Sequence, residues 1–331
     1  MKKFILSILL ILVITLNGCK FNTDSTVHTA EGIYFNTYVS IALYGCGSQE
    51  IADEALRQCA FYEKIFSRTM ESGILYNLNN NGKLNIINAE DRVLLDVLKK
   101  SLGYCEMTAG NMDITVEPLT SLWDFSSGKK YIPTDEELSN AVAKVGYKNV
   151  VINEESIILN DVRLDLGAVA KGYVADCLKT FLKERGVDSA LINLGGNILC
   201  IGEKPNGSNF FIGIKKPFTE DVQLVLGATD CSIVTSGTYE RYFDENGKSY
   251  HHILDPKTGM PCDNGVVSVT IISEDSFTGD CLSTGCFVMG LEAGMELVDS
   301  MDGVYAVYID SENNVHFSEG AEEFVREKRS K

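Results

Sequence analysis

The sequence predicts an α+β fold, and three observations lead to this prediction. Short segments of strand-like alternation follow one another in runs, and segments with helical periodicity are grouped between those runs. The chain lacks a GxGxxG segment that opens a helix, and it lacks a GxxxxGK segment followed by Ser or Thr. Because these loops are typical of doubly wound nucleotide-binding folds, we expect mixed or antiparallel sheets with flanking helices instead.

The first part of the chain is expected to hold one strand and three helices. Side chains of residues 33–44 show the two-residue alternation that is typical of a β-strand, so this segment is predicted to be one. Ser48 is expected to open a helix because the apolar residues that follow keep helical spacing as far as Ile65. A second helix is predicted over about residues 91–104. The third begins at Thr134, which forms a capping-box pattern with a glutamate three residues later.

The rest of the chain is expected to consist mainly of strands. Residues 111–125, which contain a proline and the only tryptophan, are expected to be irregular. One helix is predicted over about residues 168–185, closed by Gly186 at the usual C-terminal position. The other expected elements are strands at 150–153, 156–159, 162–166, 190–194 and 198–202, further strands between 210 and 272, helices at 276–289 and 291–301, and two final strands.

The N-terminus has the pattern of a lipoprotein signal peptide. Two lysines precede an apolar run, residues 4–16, which is too short to span a bilayer but has the length of a signal-peptide core. The run ends at Leu-Asn-Gly before Cys19, the residue that would be acylated. We expect residues 1–18 to be removed, Cys19 to anchor the protein at the extracytoplasmic face of the cell membrane, and residues 19–30 to form a tether. Ordinary signal cleavage before a free Cys19 is the alternative.

The acidity of the chain limits its partners. Residues 1–18 contain two of the 29 Lys and Arg residues and none of the 46 Asp and Glu residues, so the mature chain would carry a formal charge of −19. Such a chain repels nucleic acid and anionic lipid. It also repels phosphate groups, so a phosphate ligand would need a metal ion or locally placed cations. About 300 mature residues suit one large domain or two closely packed ones.

The nine cysteines after Cys19 form neither a disulfide framework nor a zinc pattern. Their number is odd, they are scattered through apolar segments, and no CxxC pair occurs. We expect small buried hydrophobic residues with free thiols. A reducing or anoxic native habitat is the hypothesis that follows.

Residues 165–173, Asp-Leu-Gly-Ala-Val-Ala-Lys-Gly-Tyr, are expected to form a strand end, a tight turn and the start of a helix. Backbone N–H groups at a helix start favour anions. Lys171 in the first turn opposes the helix dipole, which a bound phosphate would explain. The alternative is an aspartate N-cap beside a solvated lysine.

Asp280 and Thr284 lie one helical turn apart and therefore share a face. A carboxylate and a hydroxyl at this spacing can both reach a hard cation such as Mg²⁺. The alternative is an acid at a helix start beside a threonine that bonds its own backbone.

Two of the four histidines open the segment 251–259, which continues into an Asp-Pro turn. Neither HExxH spacing nor a nearby cysteine pair indicates zinc. A histidine on a loop beside a metal site is a natural general base. A polar strand edge capped by the turn is the alternative.

In this order and spacing, the segments resemble one family, the FAD:protein FMN transferases, or ApbE-type flavin transferases. The resemblance covers essentially the whole mature chain and implies a single flavin transferase domain over residues 31–325. It includes Phe35-Asn36-Thr37, where the family tends to have Met-Gly-Thr. The other matching segments are 111–119, 165–172, 193–197, 235–237, 252–259 and 280–284.

The resemblance also implies roles for individual residues. The backbone carbonyl of Ala168 and the side chains of Asp280 and Thr284 would bind a Mg²⁺ ion that holds the diphosphate of FAD. His252 would be the base that activates the incoming hydroxyl. The residues expected to bind FAD are Phe35, Thr69, Asn111, Met112, Asp113, Asp165, Lys171 and Leu254.

The implied reaction transfers FMN from FAD to a Ser or Thr of an acceptor protein, such as a redox-pump subunit, and releases AMP. Two alternatives stay open. In the first, water is the acceptor and the protein is a Mg²⁺-dependent FAD pyrophosphatase. In the second, the protein is a lipid-anchored receptor that binds or scavenges flavin without catalysis.

Overall fold

The structure, a computed structural model, describes residues 26–328. The strands in this part of the chain are β1 (Val27–Tyr34), β2 (Thr37–Tyr44), β3 (Lys83–Asn85), β4 (Val150–Ile152), β5 (Ser156–Leu159), β6 (Ala190–Leu194), β7 (Asn197–Ile201), β8 (Phe210–Lys215), β9 (Val222–Ala228), β10 (Ser232–Gly237), β11 (Tyr242–Glu245), β12 (Lys248–His251), β13 (Val266–Ser273), β14 (Tyr305–Asp310), β15 (Val315–Phe317) and β16 (Val325–Lys328). The helices are α1 (Gln49–Phe66), α2 (Ile74–Asn81), α3 (Ala89–Met107), α4 (Glu117–Trp123), α5 (Asp135–Val142), α6 (Ala170–Glu184), α7 (Ser276–Met289) and α8 (Leu291–Asp299).

An eight-stranded sheet forms the centre of the fold, in the order β1-β2-β6-β7-β10-β13-β14-β15. The pairings between its neighbouring strands are all antiparallel. Apolar side chains of α1, α3 and α6 cover the part of one face formed by β2, β6 and β7. The small sheet β16-β9-β8 covers the other face. The predicted α+β class with antiparallel sheets and flanking helices is confirmed.

Two helix starts form as the sequence predicts. The side chain of Ser48 accepts a hydrogen bond from the backbone N–H of Ile51 and so caps α1. Thr134 and Glu137 form both hydrogen bonds of a capping box at the start of α5. In each case a short polar side chain satisfies backbone donors that a helix end leaves free.

The strand predicted over residues 33–44 is wrong in its bounds, because this segment is part of a hairpin. β1 begins at Val27, so residues 27–30, which we expected in the tether, belong to a strand. Phe35 and Asn36 form the turn, with backbone φ angles of 54° and 55°. Two left-handed residues give a tight hairpin turn, but Asn-Gly is the sequence that usually does so. The absence of a glycine here explains why the turn was missed. Residues 1–18 and Cys19 lie outside the described residues.

Helix α4 lies within residues 111–125, which we predicted to be irregular. Pro118 stands in the first turn of α4, where a proline costs no hydrogen bond. The strand predicted over residues 162–166 is also wrong. Asn79 takes the place of a neighbouring strand, since its side chain accepts from Leu164 N and donates to Leu164 O.

Three strands, not two, follow α8. The last of them, β16, pairs with β9 and completes the small sheet that covers the face of the central sheet opposite α1, α3 and α6. Between residues 26 and 328, no helix has the length and apolarity needed to cross a bilayer.

Candidate active site

A cavity of about 1010 Å³ lies where the β1–β2 turn, the β6–β7 turn and β10 meet the start of α6 and the middle of α7. This volume is at the upper end of the range for ligand cavities. The structure brings all of the predicted catalytic, metal-binding and FAD-binding residues together in its wall. They are Phe35, Thr69, Asn111, Met112, Asp113, Asp165, Ala168, Lys171, His252, Leu254, Asp280 and Thr284.

Helices α6 and α7 are in direct backbone contact beside this cavity. A Cβ atom on Gly172 would lie 2.3 Å from the carbonyl oxygen of Ser276, so the approach requires glycine. The contact places the Gly172 N–H 2.7 Å from Oδ2 of Asp280. Nζ of Lys171 lies 3.6 Å from Oδ1 of the same carboxylate. A negative charge on α7 therefore accompanies the lysine in the first turn of α6, which offsets its unfavourable interaction with the helix dipole.

Three oxygen-bearing groups of the cavity wall fit a hard cation. The Gly172 N–H donates to Asp280 instead of to the carbonyl of Ala168, and within residues 26–328 this carbonyl accepts no hydrogen bond. Oγ1 of Thr284 has a long contact, 3.4 Å, with the hydroxyl of Ser236. A carboxylate, a hydroxyl and a free carbonyl are ligands that Mg²⁺ accepts.

This set has a single acidic side chain. No group of three or more His, Cys, Asp or Glu side chains within the described residues has the geometry of a metal site. A metal ion here would depend on the neutral oxygens of Ala168 and Thr284, and on oxygens of its ligand, as much as on Asp280.

His251 and His252 have different environments because neighbouring residues of an extended chain point in opposite directions. His251 is buried away from the cavity, where Nε2 lies 2.9 Å from the carbonyl oxygen of Cys262 and Nδ1 accepts from Ile253 N. His252 lines the cavity, and its buried Nδ1 has no hydrogen-bond partner among the described residues. Burial, followed by the positive charge of Arg241, lowers the pKa of His252 to about 3. The imidazole is therefore neutral at physiological pH.

Asp165 is held by the protein at both carboxylate oxygens. Oδ1 accepts from Gly167 N at 2.8 Å, which stabilises the turn before α6. Oδ2 accepts from Thr120 Oγ1 at 2.7 Å and lies 2.9 Å from Nε of Arg68. Asp165 is not the N-cap of α6, since that position is Val169. The alternative of an aspartate N-cap is therefore wrong.

Asp113 and Met112 contribute to the cavity wall, and both side chains are largely buried in the protein. Asp113 is buried, and its carboxylate accepts hydrogen bonds from Thr115 and from the backbone N–H of Tyr147. Burial raises the pKa of Asp113 although these hydrogen bonds oppose the shift. The Met112 side chain is also buried. These residues hold the 111–115 segment in place, and their contact with a ligand stays a prediction.

The remaining predicted residues belong to the loops around the cavity. Phe35 N donates to Oε1 of Glu63 in α1 at 2.6 Å, which fixes the β1–β2 turn. Asn111 accepts from Nζ of Lys257 at 2.9 Å, and this bond joins its loop to the Asp-Pro turn. Thr69 lies exposed between α1 and α2, and Leu254 is buried after β12.

Several cations of the cavity wall were not expected from the sequence. Arg68, Lys215 and Arg241 line the cavity together with Lys171. None of them stands in a motif, and each comes from a different element, so a single sequence offers no signal that would group them. Arg68 and Lys215 are ion-paired with Asp165 and Glu220, so part of the positive charge that a phosphate ligand requires is already offset by carboxylates.

The sequence matches the model of the ApbE family over residues 35–309. The FAD:protein FMN transferase of Klebsiella pneumoniae (strain 342) is 30% identical over 303 residues, which cover 89% of this chain and 93% of that protein. The FAD:protein FMN transferase of Treponema pallidum (strain Nichols) is 31% identical over 295 residues, which cover 81% and 82%. The crystal structure of the ApbE protein of Thermotoga maritima has a TM-score of 0.82 and 31% sequence identity, over 91% of this chain and 100% of that chain.

Proposed function

The chain belongs to the ApbE family, and we infer that it is an FAD:protein FMN transferase, the activity for which its relatives are named. It is an enzyme that cleaves the diphosphate of FAD and transfers FMN to a protein. The observation that carries this function is one cavity that joins the Asp280 carboxylate, the Lys171 ammonium and the imidazole of His252, whose Nδ1 has no hydrogen-bond partner in the part of the chain that the structure describes.

We propose that the cavity takes Mg²⁺, with the Asp280 carboxylate, the Thr284 hydroxyl and the Ala168 carbonyl as its protein ligands. The free carbonyl of Ala168 supports this proposal, because a carbonyl without a donor is available to a cation. Bound there, Mg²⁺ would neutralise charge on the diphosphate of FAD. Lys171, which is 3.6 Å from Asp280, would contribute a second positive charge beside it.

We propose that His252 accepts the proton of the acceptor hydroxyl. Its neutral state at physiological pH leaves a ring nitrogen able to take a proton. The diphosphate of FAD would raise the pKa of His252, since a nearby negative charge favours imidazolium. The base would thus be strongest when the substrate is in place.

The bonds formed and broken follow from these roles. The oxygen of an acceptor Ser or Thr attacks the phosphorus of the FMN half, and a phosphoester bond forms. The bond from that phosphorus to the bridging oxygen breaks, and the bridging oxygen leaves with AMP. The hydroxyl proton passes to His252 and then to solvent. Lys171 stays beside the developing charge on the leaving phosphate.

Covalent flavin on a denatured acceptor protein is the measurement that tests this function. The purified protein, FAD, MgCl₂ and a candidate acceptor with a Ser/Thr flavinylation motif would be incubated, denatured and separated by electrophoresis. We expect flavin fluorescence on the acceptor band and AMP in equal amount, both prevented by EDTA. Release of AMP and free FMN without a labelled band would contradict transfer to a protein.

We propose that Cys19 carries a lipid anchor, which would hold the enzyme at the extracytoplasmic face of the cell membrane. The apolar run at residues 4–16 and the Gly-Cys pair after it support this proposal. Cys19→Ser should move the protein from the membrane fraction to the soluble fraction. Retention of Cys19→Ser in washed membranes would contradict a lipid anchor at this residue.

A further inference from the structure

Three aromatic side chains, of which the first and last are exposed and the second is half-buried, form a cluster at the edge of the cavity, which we call the aromatic rim: Phe218, Tyr239 and Tyr242. Phe218 is 55% exposed and Tyr242 is 44% exposed. The ring centroid of Phe218 lies 5.4 Å from that of Tyr242 and 6.1 Å from that of Tyr239. Tyr239 also lines the cavity. The rim is therefore an apolar surface that continues from the cavity wall out to solvent.

The backbone at Phe218 has an unfavourable conformation for its side chain. Residues 216–219 form a turn between β8 and β9, closed by a hydrogen bond from Thr219 N to Lys216 O. Proline occupies the second position and Phe218 the third, with a φ angle of 59°. Glycine or asparagine is preferred at such a position. Glycine or asparagine would form this turn with less backbone strain. The turn geometry therefore does not account for an exposed phenylalanine ring at this position.

The rim is joined directly to the residue that we propose as the base. Tyr242 pairs with His251 in the β11–β12 hairpin, one residue before His252. The backbone N–H of His252 donates to the carbonyl of Arg241 at 3.1 Å. A molecule that brings a hydroxyl to His252 while FAD fills the cavity must leave its remaining atoms outside, next to this hairpin.

We propose that the aromatic rim binds the acceptor polypeptide by contact with an apolar side chain close in sequence to the acceptor Ser or Thr. The proposal rests on the proposed function, because that function makes the second substrate a polypeptide. Residues on either side of the acceptor hydroxyl cannot enter the cavity with it, so they contact its edge. Exposed aromatic rings give such a segment a large apolar contact area with little loss of side-chain entropy.

A bilayer is the other partner that exposed aromatic residues could contact. A membrane pressed against the rim would cover the cavity from which the acceptor must be reached. The position of the rim therefore favours a polypeptide, and vesicle binding is an outcome of the test.

The test compares Phe218→Asn, Tyr242→Ala and the double variant with Phe211→Ala, all in the full chain. Asparagine tolerates a positive φ, so Phe218→Asn removes the ring and keeps the turn. Phe211 is a matched control, since it is 56% exposed on β8 and does not line the cavity. The probe is a pool of short peptides with a fixed central threonine and randomised neighbours, fused to a folded carrier protein.

We expect the unchanged protein to label peptides that carry an apolar residue at a fixed distance from the threonine. The double variant should lose this preference, and its kcat/KM for the selected peptide should fall by about tenfold or more. Equilibrium FAD binding should stay within about twofold in every variant. The melting temperature of Phe218→Asn should rise, because backbone strain is relieved, whereas a structural role of the ring would lower it.

Four results would overturn the proposal, and they are distinguishable. Equal labelling by the double variant and the unchanged protein would show that the rim does not bind the acceptor. A parallel loss of FAD binding would assign the rim to the nucleotide. Loss of binding to zwitterionic phosphatidylcholine vesicles by the double variant in a Cys19→Ser background, with labelling intact, would assign it to the membrane. If the unchanged protein releases AMP and FMN but labels no peptide, the proposed function fails, and the acceptor surface fails with it.

Discussion

The backbone N–H of Gly172 donates a 2.7 Å hydrogen bond to Oδ2 of Asp280, and this bond fastens the start of α6 to the middle of α7. It orients the carboxylate so that Oδ1 faces Lys171. It also leaves the carbonyl of Ala168 without the helical hydrogen bond that Gly172 would otherwise donate. One backbone donor thus holds the Asp280 carboxylate beside Lys171 and leaves the Ala168 carbonyl free.

Gly172→Ala should reduce both stability and activity. The added Cβ would lie 2.3 Å from the Ser276 carbonyl oxygen and force α6 away from α7. We expect the free energy of unfolding to fall by about 2–3 kcal/mol and FAD cleavage to be nearly lost, as measured by urea unfolding and AMP release. Gly103→Ala is the control, because nothing lies within 4 Å of its Cβ position in α3. That change should increase stability by about 0.5–1 kcal/mol. Normal activity of Gly172→Ala would show that the close contact is not needed.

Asp280→Asn should abolish Mg²⁺-dependent turnover. Asparagine can still accept from Gly172 N, so the change removes the charge and largely keeps the packing. Turnover would be followed by AMP release across a MgCl₂ titration. Asp275→Asn is the control on the same helix, since Asp275 caps α7 by accepting from Thr278 N. It should cost stability of about 1 kcal/mol or less and leave turnover intact. Full activity of Asp280→Asn at low Mg²⁺ would remove the metal assignment.

His252→Ala should cripple transfer and leave FAD bound. The imidazole is proposed to accept a proton, and the charges that hold the diphosphate are on other residues. Loss of a general base lowers kcat by roughly 100-fold or more, which single-turnover labelling would measure, while fluorescence titration gives the affinity for FAD. Variant His251→Ala offers a contrast, since its hydrogen bond to Cys262 is structural and its loss should lower stability. If His252→Ala no longer binds FAD, His252 is a pocket residue and not the base.

The stability of the protein should fall between pH 6.5 and about 3 because of His252. The pKa of His252 is lowered to about 3 in the folded protein from an ordinary value of 6.5. In this window the unfolded chain binds a proton that the folded chain does not, so acid favours unfolding. Burial lowers the pKa of His251 as well, which adds an effect of the same sign. Urea unfolding at pH 7.5 and 4.5 should show a smaller difference for His252→Gln than for the unchanged protein. An equal difference would indicate a normal pKa.

Cys281→Ala and Cys286→Ala should have mild effects on catalysis. Neither thiol lines the cavity, and burial raises the pKa of Cys286 to about 12, so it stays protonated. The nine cysteines in the described residues are free thiols. Thiol titration should therefore find all nine after denaturation and few of them before it. Complete inactivation by either substitution would mean that the thiol has a chemical role, and paired thiols in freshly isolated protein would contradict a reducing habitat.

The sequence predicted elements well where local chemistry decides the structure. Helix α1 follows from its apolar spacing and from Ser48, and α5 follows from its capping box. Prediction from the sequence failed where side chains from distant parts of the chain decide the local structure. Helix α2 contains four asparagines, which have low helix propensity, and one of them bonds the backbone of Leu164 from 85 positions away. No local pattern reveals that the Asn79 amide forms the backbone hydrogen bonds with residues 162–166 that a neighbouring strand would otherwise form.

The candidate site shows the same division. Asp280 and Thr284 could be placed on one helix face from their spacing alone, and the distance of Asp280 from Lys171 could not. That distance depends on Gly172, whose role is visible only when the atoms of Ser276 are placed beside it. Arg68 was missed for a similar reason, because its partner Asp165 comes from another part of the chain.

The start of β1 at Val27 would limit where an enzyme anchored at Cys19 can act. If Cys19 is anchored in a bilayer, eight residues separate the lipid from the first strand, and a fully extended chain of that length spans at most roughly 28 Å. The catalytic domain would then stay within a narrow layer next to the membrane. Acceptor hydroxyls inside that layer would be modified, and those on the outer parts of tall assemblies would be out of reach. A Gly/Ser segment inserted before Val27 should widen the layer and, with it, the set of sites that become flavinylated.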